Sequence, residues 1–169
     1  APNGDVFNDS DVEFLVDMIP HHAQAVELVV LAQDRPLDPE VRAIADAIRA
    51  AQVPEVEQMS DWLTAWGEEV PATSLDHTNA GHDGDVADDT GHADMPGMLS
   101  SDQMDALAGA ADADFQDAWV ELMIEHHEGA VEMARVQQDE GAFADAVALA
   151  ESIESAQTAE IGTLEGLLG

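Results

Sequence analysis

The 169-residue chain contains no cysteine. Disulfides, thiolate metal sites and cysteine nucleophiles are therefore excluded together. A metal would have to be held by His, Met, Asp, Glu or Gln. Lysine is absent too, and the four basic residues are Arg35, Arg42, Arg49 and Arg135. Against them stand 37 acidic residues, a formal net charge of -33. Such a surface repels phosphate backbones, which argues against nucleic-acid binding, and it attracts cations. It also pushes the folded chain apart at low ionic strength, as in salt-adapted proteins. No run of about 20 apolar residues occurs, so no membrane span is predicted. The stretch from Ala1 has neither the basic nor the apolar region of a signal peptide. It reads as a cytosolic chain or a mature one freed of its export signal.

Hydrophobic residues make up 46% of the chain, enough for a packed core, and their spacing is helical. Phe14, Leu15, Met18, Ile19, Ala25, Val26, Val29 and Val30 mark a first helix within 11–34. Asp9, Ser10 or Asp11 is its candidate cap, and Arg35-Pro36 its stop. Asp38-Pro39 opens a second helix that runs to about Trp66-Gly67, with Pro54 expected to kink it. Residues 67–98 lose the period and read as an exposed, mobile tether. Ser100 and Gln103 form a capping-box pattern. A short helix follows, then helices at 112–140 and about 143–168.

Adding 105 to a residue number lays the first hairpin on the second without a gap. Met18, Ile19, His21 and His22 fall on Met123, Ile124, His126 and His127. Ala25, Val26 and Glu27 fall on Ala130, Val131 and Glu132. Ile48, Gln52 and Glu55 fall on Ile153, Gln157 and Glu160. Two such amphipathic hairpins bury their apolar faces by pairing. The expectation is an all-α single domain, 1–169, built as a four-helix bundle. Its parts are a first hairpin at 9–66, a flexible acidic linker at 67–98 and a second hairpin at 99–169.

The two His-His pairs are the candidate chemistry. Imidazole is the commonest metal ligand that works without thiolate. Neighbours on a helix point about 100° apart, so one ring of each pair should face the core and the other a groove or another helix. Met18 lies one turn before His21 and His22, and Met123 one turn before His126 and His127, so each shares its pair's face. Folding each hairpin about its turn sets Gln52 and Glu55, and Gln157 and Glu160, beside the histidines, with Met59 continuing the same face. These side chains, with Glu27 and Glu132, are either direct ligands or partners that fix the imidazole tautomer. A separate candidate site lies in the linker: His77, His82, His92, Met95 and Met98, among several Asp residues. If the hairpins pack about a two-fold axis, the two pairs meet at one level of the bundle. Otherwise packing turns them outward as two surface sites.

Several segments carry a family resemblance. They are Phe14-x3-Met18-Ile19-Pro20-His21-His22-x2-Ala25-Val26-Glu27, Met95-Pro96-Gly97-Met98, and Met123-Ile124-Glu125-His126-His127-Glu128-Gly129-Ala130-Val131-Glu132-Met133-Ala134. The Gln-x2-Glu elements at 52–55 and 157–160 belong with them. Together they resemble domain-of-unknown-function family 305. The resemblance implies a ferritin-like helical bundle, exported or lipid-anchored, and a role in copper binding and resistance like that of its CopM-type members. It also brings in Met133 as a candidate ligand. Leu28 stands where the first half would carry that Met, and Leu164 where the second would match Met59, so two half-sites would differ in affinity.

The resulting expectation is an extracytoplasmic copper-binding protein, buffering or protective and not an enzyme, taking Cu(I) or Cu(II), with zinc or iron as other candidate ions. His with thioether suits Cu(I), and His with carboxylate suits Cu(II) or Zn(II). One rival is a ferritin-like di-metal oxidase, although the Glu-x2-His signature of such sites is missing from both pairs. Another is a salt-adapted interaction module with structural histidines.

Overall fold

The computed structural model describes residues 1–73 and 95–168. Among them are five helices and no strand: α1 (Asp9–Ala32), α2 (Pro39–Trp66), α3 (Ser101–Ala108), α4 (Asp112–Glu140) and α5 (Ala144–Leu167). The chain is all-helical, as expected. Most of the expected tether, including His77, His82 and His92, lies outside the described residues.

Local signals set the helix ends. The cap of α1 is Asn8, not one of the three residues that follow it. The Asn8 side chain accepts from the Asp11 N–H, and the Asp11 carboxylate accepts from the Asn8 N–H, a closed capping box. Ser100 and Gln103 form the same box on α3. α2 begins with Pro39 at its first position and ends at Gly67, whose φ of 82° closes the last turn in the left-handed region. Pro20 and Pro54 both lie inside unbroken helices.

The four long helices share two apolar clusters. One gathers Leu28, Val29, Ile44, Ile48, Phe115, Trp119, Val120, Met123 and Leu164, among others. The second includes Phe14, Leu15, Met18, Met59, Leu63, Ala130, Leu149 and Ile153. Each helix runs from one cluster to the other. α1 and α5 start in the second cluster, and α2 and α4 in the first, so the two helices of each hairpin are antiparallel, as are α1 and α4 across the seam, while α2 and α4 run the same way. The offset of 105 exchanges the clusters: Phe14, Leu15, Met18 and Met59 correspond to Trp119, Val120, Met123 and Leu164. α1 packs on α2 and α4 on α5, and α1 against α4 forms the main seam between the hairpins.

Polar clamps close the seam at both ends. Asp11, fully buried, accepts from Gln137 Nε2 at 2.6 Å and from the backbone N–H groups of Ala142 and Phe143 at the α4–α5 turn. At the matching place in the other half, Gln116 accepts from the Asp38 N–H at 2.7 Å and donates to the Asp38 carboxylate. Arg35 donates to the carbonyls of Ala108 and Ala110 and to Asp112, with its guanidinium 4.5 Å over the Phe115 ring. By length and composition α1 could cross a membrane. Most of its apolar residues are instead buried in the core of the bundle.

Candidate metal centre

Between the two apolar clusters lies a buried polar layer. α1 contributes His21, His22 and Gln24, α4 contributes His126 and His127, and α2 and α5 contribute Gln52 and Gln157. All four imidazoles are at most 1% exposed. Of the two places expected for the second ring of each pair, a groove or another helix, the structure shows the second. α1 and α4 each touch two other long helices, so both directions 100° apart point into the bundle.

The inner rings meet at the seam. His21 and His126 lie face to face, with centroids 3.8 Å apart and planes tilted by 34°. Each imidazole nitrogen sits about 1.2 Å from its ring centroid, so every nitrogen pair here falls within about 6 Å, inside the span that two bonds of about 2 Å each plus rotamer freedom allow. The outer rings turn to the return helices. His22 Nε2 donates to Glu55 at 2.8 Å, and His127 Nε2 donates to Glu160 at 2.7 Å. The two bonds coincide under the offset of 105, as the level of Glu55 and Glu160 on the return helices requires.

These bonds decide where the lone pairs are. A carboxylate or carbonyl oxygen only accepts, so a neutral ring bonded through Nε2 carries its proton there and leaves Nδ1 bare. That holds for His22 and His127, and for His21, whose Nε2 donates to the Pro96 carbonyl at 3.0 Å. Neither nitrogen of His126 makes a well-formed hydrogen bond, although the His21 carbonyl lies near enough to act on the ring. Among the described residues, eight buried side-chain polar atoms lack such a bond. All but Gln137 Oε1 belong to this layer: Nδ1 of all four histidines, His126 Nε2, and Oε1 of Gln52 and Gln157. Leaving such an atom unpaired costs about 1–3 kcal/mol, so the layer is expensive as a purely structural device.

Burial also keeps the inner rings uncharged. Loss of hydration pushes the His21 pKa down to about 3. The neighbouring His22 adds to the shift, while the Pro96 carbonyl opposes it. Loss of hydration likewise takes His126 well below its ordinary value, followed by His21, with the His21 carbonyl opposing. A ring that is neutral across the physiological range has no proton to lose before it binds a metal. The donors are neighbours but not yet a cage. Among the described residues no three His, Cys, Asp or Glu side chains are grouped so as to hold one ion.

The remaining candidates divide clearly. Met18 and Met59 are fully buried in one apolar cluster, and Met123 in the other, so a thioether flanks the layer on each side. Glu27 and Met133 are half-buried and Glu132 is exposed. Met133 and Glu132 line a cavity of about 240 Å³ with Phe14, Asp17 and Pro96. Met95 and Met98 are the two ends of a turn closed by the Met98 N–H on the Met95 carbonyl at 3.1 Å. With Pro96 second and Gly97 third at φ 73°, it is a type II turn. The end of the segment read as an exposed linker is thus docked on the bundle. Sequence reading missed the Pro96 carbonyl, Gln24, Gly97 and Gly129. The Pro-Gly dipeptide and a glycine inside a helix were the available signals.

The chain belongs to the family described as Domain of unknown function (DUF305), which it matches over residues 11–168. No curated protein matches it. Among solved structures it is similar to a DUF305 fragment from Deinococcus radiodurans, at 30% identity and a TM-score of 0.77, covering 96% of this chain and 97% of that one. It is similar to a DUF305 protein from Streptomyces coelicolor, described as a candidate secreted protein, at 29% identity and a TM-score of 0.78, covering 94% and 91%. It is also similar to CopM in its Cu(II)-bound form, at 27% identity and a TM-score of 0.73, covering 94% and 95%. CopM has been solved with Cu(I) and with silver as well.

Proposed function

We propose that this protein binds copper in its buried histidine layer and buffers it outside the cytoplasm, as a binding protein and not as an enzyme. The observation that carries this reading is the set of unpartnered Nδ1 atoms on His21, His22, His126 and His127. Three of them are bare lone pairs in a water-poor layer, and two of the rings are held neutral by burial. CopM, a relative with the same fold, is known in copper- and silver-bound forms. Imidazole nitrogens with thioethers on either side are donors suited to soft monovalent ions, and Met18 and Met123 supply that sulfur here. Glu55 and Glu160 would orient the outer rings and raise their basicity. Extracytoplasmic placement draws support from the Streptomyces coelicolor relative. The matched hairpins are best explained by duplication of one ancestral hairpin.

Tag-free protein titrated with Cu(I) and Cu(II) against a competing chelator tests the site. The double variant His126→Ala/His127→Ala should lose at least about tenfold in affinity, because packing has already ordered the helical rings. The triple variant His77→Ala/His82→Ala/His92→Ala should lose much less. The reverse order would move the primary site to the linker, and no uptake by the wild-type chain would remove the copper reading.

A further inference from the structure

The polar layer obeys the offset of 105 except where the Met95–Leu99 segment meets it. His22 and His127 each donate to a carboxylate from a return helix. His21 donates to a backbone carbonyl that comes from neither return helix, and His126 makes no well-formed bond. The odd acceptor is Pro96 O, delivered by the Met95–Met98 turn.

The turn's contacts leave little freedom. A Cβ on Gly97 would stand 2.7 Å from the Glu125 carbonyl and 2.9 Å from the His126 carbonyl, so the turn lies on the α4 backbone beside the histidines. A Cβ on Gly129 would stand 2.0 Å from Pro96 O. Real Cβ atoms do not come so close, so both glycines are needed for the approach. From the α1 side, Gln24 holds the next residue with two bonds: Nε2 to the Leu99 carbonyl at 2.9 Å and Oε1 from the Leu99 N–H at 2.8 Å. Gln24 is itself buried. Positions 24 and 129 correspond under the offset. One half therefore grips the chain with an amide where the other makes room with a glycine.

We propose that the Met95–Leu99 segment is a positioning element for the metal layer, and that the Pro96 carbonyl fixes His21 as the Nε2–H tautomer so that Nδ1 is its metal-facing nitrogen. His126 makes no well-formed bond of this kind, the His21 carbonyl acting on it only weakly, so its tautomer is less restrained. The segment thereby makes the two central histidines unequal ligands although their helices correspond. The inference rests on the copper reading for its purpose, but the tautomer is a property of the metal-free chain.

The experiment uses full-length metal-free protein and long-range 1H–15N correlation spectra, which distinguish the two imidazole tautomers. Wild-type His21 should be a single Nε2–H tautomer. Gly129→Ala should displace the turn without weakening α4, since alanine is the better helix former. Gln24→Leu releases the segment from the other side. In both variants His21 should become a tautomer mixture, while His22 and His127 keep their Nε2–H form. Cu(I) affinity should fall about tenfold in both. An Nδ1–H tautomer of wild-type His21, or one unchanged tautomer in both variants, overturns the proposal. So does a tautomer change that leaves Cu(I) affinity untouched. Failure of the copper reading would show separately, as absence of Cu(I) uptake by the wild type.

Discussion

His21 and His126 tie the stability of the metal-free protein to pH. In the unfolded chain both take up protons as the pH falls through 6.5, whereas in the folded chain burial holds them neutral to much lower pH, His21 to about 3. Their folded pKa values are depressed, so for these bases the unfolded state binds more protons in that window. For His21 stability is complete well above pH 6.5 and falls as the pH drops toward 3, by about a factor of ten in the folding equilibrium per pH unit, and His126 acts in the same direction. From pH 7 to pH 5, wild type should lose about 2 kcal/mol more than His21→Gln. Urea unfolding at the two pH values measures the difference, and equal losses would mean that His21 is not buried and neutral. The residue types of the site could be read from sequence because His-His pairs and Gln-x2-Glu repeat at one offset. Their protonation could not, because it depends on the loss of water around the rings and on a carbonyl 75 residues away in the chain.

At the scale of helices, corresponding positions do unequal work. Asp11 and Gln116 both hold the N-terminal end of a helix in the opposite hairpin, yet Asp11 is a fully buried carboxylate shared by several N–H donors. Asp11→Ala should cost about 3–5 kcal/mol, because it strands donors that only an anion can serve together. Gln116→Ala, at a half-buried position, should cost about 1 kcal/mol. Urea denaturation of the two variants checks this, and comparable losses would show that the α4–α5 turn has other support. Helix limits were largely legible: Asp38-Pro39, Gly67, Ser100 with Gln103 and Gly141 stand where the structure starts or stops a helix. Asn8 was passed over because three other capping residues follow it, and only the reciprocal bond with Asp11 selects it. The docked turn at Met95–Met98 was hidden for a different reason. Its composition is that of a loop, and what orders it is contact with α4 and Gln24.

For the whole molecule, charge and core oppose each other. A net charge of -33 on 169 residues repels itself, and little of it is paired. Among the described residues the ion pairs include Arg35–Asp112 and Arg135–Glu154. Salt screens this repulsion, with a Debye length of about 10 Å at 0.1 M and 3 Å at 1 M. The melting temperature of metal-free protein should therefore rise between 0.05 M and 1 M potassium chloride. A flat or falling trend by scanning calorimetry would show that self-repulsion does not limit the fold. The all-helical, paired-hairpin plan could be read from sequence because its apolar spacing is regular over whole helices. The level at which the hairpins meet was open between a shared layer and two outward sites, since spacing fixes which residues share a face but not how faces from distant segments are rotated together.

The polar layer also acts as an alignment mark. Apolar helix faces tolerate sliding, because one aliphatic contact replaces another at little cost. A slip of one turn, about 5.4 Å, along the α1–α4 seam would move the His21–His126 stack apart and set imidazoles against aliphatic side chains. It would also part His21 on α1 from the Pro96 carbonyl, whose turn is seated on α4. A single polar position does the same in coiled coils, where it selects one register among several that are equally apolar. Here the mark is written on all four long helices at one height, so each hairpin has one place to stop against the other.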